Sequence, residues 1–141
     1  MTLPLNILLI DACAATRSVV ATLVRTAGHS VVLAEDGATA VELLGSQTPD
    51  LILVEAELPD MGGAEVVRRL REHARVADAF IFTISAATAE ARAVMAEAEI
   101  HGWLAKPLCR ESLMRLVEAV AWSRSSTAAV AEADRPVRVA A

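Results

Sequence analysis

With 141 residues, 55% of them hydrophobic, the chain is the size of one domain and apolar enough to bury a single sizeable core. A net charge of −5 supplies no basic face for nucleic acid. No stretch reaches the roughly 18 uncharged apolar residues of a spanning helix, so no membrane partner is expected and the expected location is the cytoplasm.

Met1 to Ile10 is apolar but has no basic leader, and Asp11 interrupts it too early for a secretion signal. Leu5 to Ile10 predicts a buried strand that ends at Asp11. Ala12 to Ala27 places Val19, Val20, Leu23 and Val24 at helical spacing, with Gly28 as the stop. Ser30 to Ala34 is short and β-branched, a second strand. Asp36 or Thr39 can cap a helix running to about Leu44. Gly45 to Pro49 then leads to Leu51-Ile52-Leu53-Val54, an apolar run that suits a strand covered on both faces and ends at Glu55.

A loop with Pro59 and Gly62-Gly63 follows, then a helix over Ala64 to His73 with arginines on one side and Val66, Val67 and Leu70 on the other. Arg68, Arg69 and Arg71 there read as a solvated helix face. Phe80 to Ile84 is a fourth strand, followed by Ser85. Thr88 to Glu99, rich in alanine, predicts a thin helix. Trp103 to Ala105 is a fifth strand ending at Lys106-Pro107, and Glu111 to Trp122 a last amphipathic helix. Five strands alternating with five helices predict an α/β fold, a doubly wound parallel sheet. Residues 1–122 form that domain, and Ser/Ala-rich residues 123–141 read as a flexible tail or linker. Asp11, Glu55, Ser85 and Lys106 then meet at the carboxyl ends of strands one, three, four and five, where open α/β sheets place their sites.

The first strand ending in acid, Pro49-Asp50-Leu51-Ile52-Leu53-Val54, the Leu58-Pro59…Gly63 loop, Ser85-Ala86 and Lys106-Pro107 occur in one order and spacing. Together they resemble the receiver domain of bacterial two-component response regulators, over about Leu5 to Trp122. The resemblance implies a flavodoxin-like three-layer sandwich and a phosphorelay signalling module. Its chemistry is transfer of a phosphoryl group from a histidine kinase to an aspartate at the third strand end, assisted by Mg²⁺. Carried over by position, Glu55 stands at the phosphoacceptor, Lys106 at the phosphate-pairing lysine, Ser85 at the hydroxyl and Trp103 at the aromatic switch. Asp11, Glu55 and, through its carbonyl, Glu57 stand at the metal site.

Two departures bear on that chemistry. The acceptor is Glu55 rather than Asp, and Ala12 occupies the second place of the usual acidic pair. The extra methylene moves the carboxylate by roughly the length of a C–C bond, and an error of about 1 Å costs on the order of a hundredfold in an in-line reaction. Mg²⁺ demands near-octahedral oxygen geometry, so a site lacking one acid is expected to be weak or empty. A charged Glu55 reaches toward Lys106 and Ser85, where a charge-assisted hydrogen bond can hold Ser85 and Trp103 in the engaged arrangement. The expectation is a pseudo-receiver that binds protein partners without phosphorylation and without turnover. The alternatives are a receiver that accepts phosphate with Mg²⁺ and a purely structural subunit.

Expected partners are a histidine kinase, a regulator or another receiver. The docking face is Thr88 to Glu99, Trp103 to Ala105 and Glu111 to Trp122, which also offers a homodimer surface. Ser85 as a helix cap and Trp103 as a core residue are the plainer alternatives. Glu57 and Asp60 read as solvated loop acids. His29, His73 and His101 share no spacing, and Cys13 and Cys109 read as free thiols in a reducing compartment.

Overall fold

The computed structural model describes residues 2–86 and 100–133, with residues 127–133 as backbone. Five strands form one sheet in the order β2-β1-β3-β4-β5: β1 Asn6–Ile10, β2 Ser30–Ala34, β3 Leu51–Glu55, β4 Phe80–Ser85 and β5 Gly102–Ala105. Every neighbouring pair is parallel, with Ile10 opposite Ala34 and Val54, Glu55 opposite Ile84, and Ser85 opposite Ala105. Described helices are α1 (Ala14–Thr26), α2 (Gly37–Leu43), α3 (Gly63–Arg71) and a C-terminal helix (Arg110–Ala133), with a short 3₁₀ turn at Ala74–Val76. The helix expected over Thr88 to Glu99 lies outside the described residues, as do residues 134–141.

The alternation of side chains along each strand builds two cores. Leu5, Ile7, Leu9, Leu51, Leu53 and Ile84 pack under α1 and the C-terminal helix, against Val20, Val24, Leu113 and Val117. Leu8, Ile10, Ile52, Val54 and Ile81 pack on the opposite face against Ala40 and Leu44 and against Val66, Val67 and Leu70 of α3. At about 25 cal/mol per Å² of apolar surface, these two layers supply most of the driving force for folding.

Local chemistry sets the helix boundaries. Gly28 ends α1 with φ of 96°, where any side chain would be strained. The Gly28 N–H bonds to the Arg25 carbonyl and the His29 N–H to the Val24 carbonyl, a Schellman stop. Asp36 caps α2 through its carboxylate and the Thr39 N–H at 2.8 Å.

Four expectations are corrected. The first helix begins at Ala14, after Cys13, rather than at Ala12. The last helix does not stop at Trp122 but runs to Ala133; just past Trp122, Arg124 bonds to the carbonyls of Asp50 and Asp78 and lies over the Phe80 ring, which ties that turn to the sheet. Ser125 adds a hydrogen bond from the Leu3 N–H. Asp60 is not merely a solvated loop acid: it accepts the N–H groups of Gly37 and Ala38, both at 3.0 Å, and ties its loop to α2. Trp103 is 47% exposed, so it is not a core residue.

Candidate functional site

Since all strands run the same way, their carboxyl ends share one edge of the sheet, and the topology brings Asp11, Glu55, Ser85 and Lys106 there. Buried apolar residues of β1, β3 and β4 hold the backbone beneath the first three, and the more exposed edge strand β5 carries Lys106. The Lys106 N–H also bonds to the Ser85 carbonyl at 2.9 Å, and the Ala56 N–H to the Ile84 carbonyl at 3.0 Å.

Glu55 is the centre of the cluster. Its side chain is 11% exposed, and its Oε1 accepts from Lys106 Nζ at 2.6 Å. Its Oε2 accepts the Ala12 N–H at 3.1 Å. Asp11 is buried beside it, with Oδ1 accepting the Cys13 N–H at 2.8 Å. Lys106 lies at the opening, with a side chain 41% exposed.

The electrostatics separate the two acids. Burial alone would raise the Glu55 carboxyl, but the bonds from Lys106, the Ala12 N–H and Asp11 outweigh it and hold the group below its ordinary value. Burial raises the Asp11 carboxyl, and neighbouring Glu55 adds to the rise against the Cys13 N–H. Burial works to lower Lys106, yet the bond and charge of Glu55 raise it overall. Asp11 therefore takes up a proton more readily than Glu55, and Glu55 is the acid that pairs with Lys106.

The other expected residues are Ser85, Trp103 and Glu57. Ser85 is buried at the end of β4, but no hydrogen bond joins its hydroxyl to Glu55 or Lys106. Trp103 sits on β5 opposite Thr83, half in solvent. Of the two groups that Glu55 is expected to reach, Lys106 makes the bond. Glu57 is exposed in the following loop, where it pairs with Gly62 through a single bridge.

As arranged, these residues do not fit a magnesium ion. Both Glu55 oxygens already face hydrogen-bond donors, and Ala12 offers no side-chain oxygen. An ion there would have to displace the lysine ammonium before meeting oxygen ligands. Among the described residues, no group of three or more His, Cys, Asp or Glu is placed to hold a metal.

Three features escaped the sequence reading. The Ala12 N–H is a main-chain group, invisible to side-chain patterns. Arg17 Nη1 donates to the Asp11 carbonyl at 2.7 Å; the signal for it is a base close to a helix start that has no acid in its first turn, against the helix dipole. Gly63, at the start of α3, approaches the site from below: a Cβ there would lie 2.9 Å from both the Glu55 carbonyl oxygen and the Ala56 Cα. Its N–H also bonds to the Ala56 carbonyl at 2.9 Å. Together these closures fix the two loops that flank Glu55.

Comparison with known proteins agrees with this architecture. The chain is 35% identical over 135 residues to sensor histidine kinase AruS of Pseudomonas aeruginosa, covering 93% of this chain and 13% of that protein. It is 30% identical over 118 residues to response regulator MprA of Mycolicibacterium vanbaalenii, covering 84% of this chain and 51% of that one. The chain therefore spans at most about half the length of these relatives. Among solved structures, chemotaxis protein CheY4 of Vibrio cholerae superposes with a TM-score of 0.77 at 25% identity, over 84% of this chain and 99% of that one. The receiver domain of a sensor histidine kinase from Pseudomonas aeruginosa, solved with magnesium in its active-site cleft, gives 0.77 at 26% identity, over 85% and 99%. Residues 7–118 match the response regulator receiver domain as a family, and with five parallel strands in the order 2-1-3-4-5 the chain belongs to it.

Proposed function

We propose that this receiver is set permanently by its own Glu55 and acts by binding a protein partner without being phosphorylated. The observation that carries the reading is the 2.6 Å bond between Lys106 Nζ and Glu55 Oε1. In a receiver the lysine at this place pairs with the phosphoryl group; here a carboxylate of the same chain already pairs with it. The donors facing both Glu55 oxygens, and a neighbouring Asp11 more ready to hold a proton, favour a charged Glu55 in that role. The mimicry is partial, since a carboxylate has one charge and two oxygens where a phosphoryl group has nearly two charges and three.

The chain carries no catalytic residue on this reading, and its partner is a histidine kinase, a regulator or another receiver. The relatives, a sensor histidine kinase and a response regulator, support that choice. The described part of the proposed docking face comprises Trp103 to Ala105 and the start of the C-terminal helix, and a homodimer through it is a further expectation. A cytoplasmic setting accords with a partner of this kind; among the described residues no helix is long and apolar enough to cross a membrane.

Two measurements test the reading. Incubation with acetyl phosphate and Mg²⁺ followed by intact mass is expected to show no added phosphoryl group; a stoichiometric gain would favour a phosphate-accepting receiver. Binding of candidate kinases and regulators to the native chain and to Glu55→Ala is expected to differ by about tenfold or more, the scale of one charge-assisted bond. Equal affinities would retire the set-state reading.

A further inference from the structure

The peptide unit joining Asp11 to Ala12 is gripped at both ends by charged side chains. Its carbonyl accepts from Arg17 Nη1 at 2.7 Å, and its N–H donates to Glu55 Oε2 at 3.1 Å. The other oxygen of Glu55 takes the Lys106 ammonium at 2.6 Å. The result is a single chain of hydrogen bonds, from guanidinium to peptide to carboxylate to ammonium. A cation stands at each end and an anion between them.

A planar trans peptide points its carbonyl and its N–H in opposite directions, so a donor that fixes one fixes the other. The rest of the turn is already committed. The Asp11 N–H bonds to the Ala34 carbonyl at 3.0 Å and the Cys13 N–H to Asp11 Oδ1 at 2.8 Å. Ala12 therefore supplies the turn's remaining N–H, and its direction depends on the plane that Arg17 holds. Arg17 is itself anchored: its own N–H bonds to the Cys13 carbonyl at 3.0 Å, within the opening turn of α1.

We propose that Arg17 is a positioning residue of the site: from α1 it orients the Asp11–Ala12 peptide, and through that peptide it holds the Glu55 carboxylate against Lys106. Its functional weight rests on the reading of Glu55 given above. The hydrogen-bond chain itself can be tested without a partner.

The test is amide chemical shift and hydrogen exchange at Ala12 in the ¹⁵N-labelled chain, for Arg17→Ala, Arg17→Lys and Glu55→Ala. Arg17→Ala is expected to speed Ala12 exchange by about tenfold, the scale of one net hydrogen bond. Arg17→Lys, which keeps a cationic donor, is expected to restore most of the protection. Glu55→Ala is expected to move the same amide, while Leu9 and Leu53 stay protected in every variant and report an intact sheet. An Ala12 amide indifferent to Arg17→Ala overturns the proposal, whatever Glu55→Ala does. Partner affinity unchanged by Glu55→Ala, with the Ala12 amide moved by Arg17→Ala, would instead retire the set-state reading and leave this one standing.

Discussion

The two edges of the sheet differ in what their polar side chains do beyond closing off main-chain groups. At the amino edge they close off main-chain groups. His29 Nδ1 accepts the Leu5 N–H at 3.0 Å, Asp50 Oδ2 accepts the Asn6 N–H at 2.8 Å, and His101 Nδ1 accepts the Ile81 N–H at 3.0 Å. Arg124 donates to the Asp50 and Asp78 carbonyls. At the carboxyl edge Glu55 takes the Ala12 N–H, Asp11 the Cys13 N–H and Arg17 the Asp11 carbonyl, but there two side chains, Glu55 and Lys106, also bind each other, and the lysine is left half-exposed at the opening. Groups that satisfy a backbone belong to the stability of the fold, because an orphaned buried donor or acceptor costs about 1–3 kcal/mol. Groups that satisfy each other can be rearranged by a ligand or partner at smaller cost to the fold.

The largest effect is expected where packing and site coincide. Gly63→Ala would drive a Cβ to within 2.9 Å of main-chain atoms of Glu55 and Ala56, neither of which is the end of a flexible side chain. A loss of about 3 kcal/mol, the upper end for overpacking, should appear in urea unfolding. Trp103 fluorescence should shift as the third strand end moves. A stable variant with unchanged fluorescence would mean that the loop yields and that the two edges are less rigidly built than their bonds imply.

Next in size is Arg124→Ala. It removes the carbonyl bonds and the cation lying 5.5 Å over the Phe80 ring. About 2 kcal/mol of stability should go with it, and helix content beyond Trp122 should fall in circular dichroism. Partner affinity should be retained once the variant is folded. An affinity loss as large as that of Glu55→Ala would break the division between edges.

This division also marks what the sequence could and could not convey. Strands, their order along the chain and the acid-hydroxyl-lysine edge were legible because each depends on a local run: Leu51 to Val54 between turn residues, or a stop such as Gly28. The Asp36 cap was legible for the same reason, with its partner three residues on. Asp60 reaches α2 across 23 residues, Arg124 reaches Asp50 across 74, and His101 reaches Ile81 across 20. No local period carries such partners, so Ser123 to Ser126 read as a linker and the histidines as isolated. At the site, the side chains could be named in advance, whereas the Ala12 N–H and the Arg17 bond to a carbonyl could not.

A pH scan separates the edges further. Burial holds His29 and His101 below the ordinary imidazole value, with the Arg71 charge adding to the effect at His101. Each accepts a backbone N–H at Nδ1, which protonation would block. The unfolded chain therefore takes up these protons first, and this part of the stability is complete above the ordinary value. It is lost as pH falls from about 6.5 through the lower folded values. Asp11 has the opposite sign at more acid pH, because its raised carboxyl gives stability below its ordinary value that is lost as pH rises. Melting temperature should fall between about pH 7.5 and pH 5.5, and less steeply in His29→Gln/His101→Gln. Equal slopes for variant and native chain would remove the histidines from the amino-edge account.

The smallest effect on stability is expected for Lys106→Ala. The lysine side chain is 41% exposed, so its pair with Glu55 is screened by water and worth under about 1 kcal/mol to the fold. Its loss does not strand Glu55, because the Ala12 N–H remains on Oε2. Urea unfolding should therefore place this variant close to the native chain and well above Arg124→Ala, while partner affinity falls as it does for Glu55→Ala. A stability loss of about 3 kcal/mol would show that the Glu55–Lys106 pair holds β3 to the end of β5 as a structural strut, as a pair cut off from solvent does.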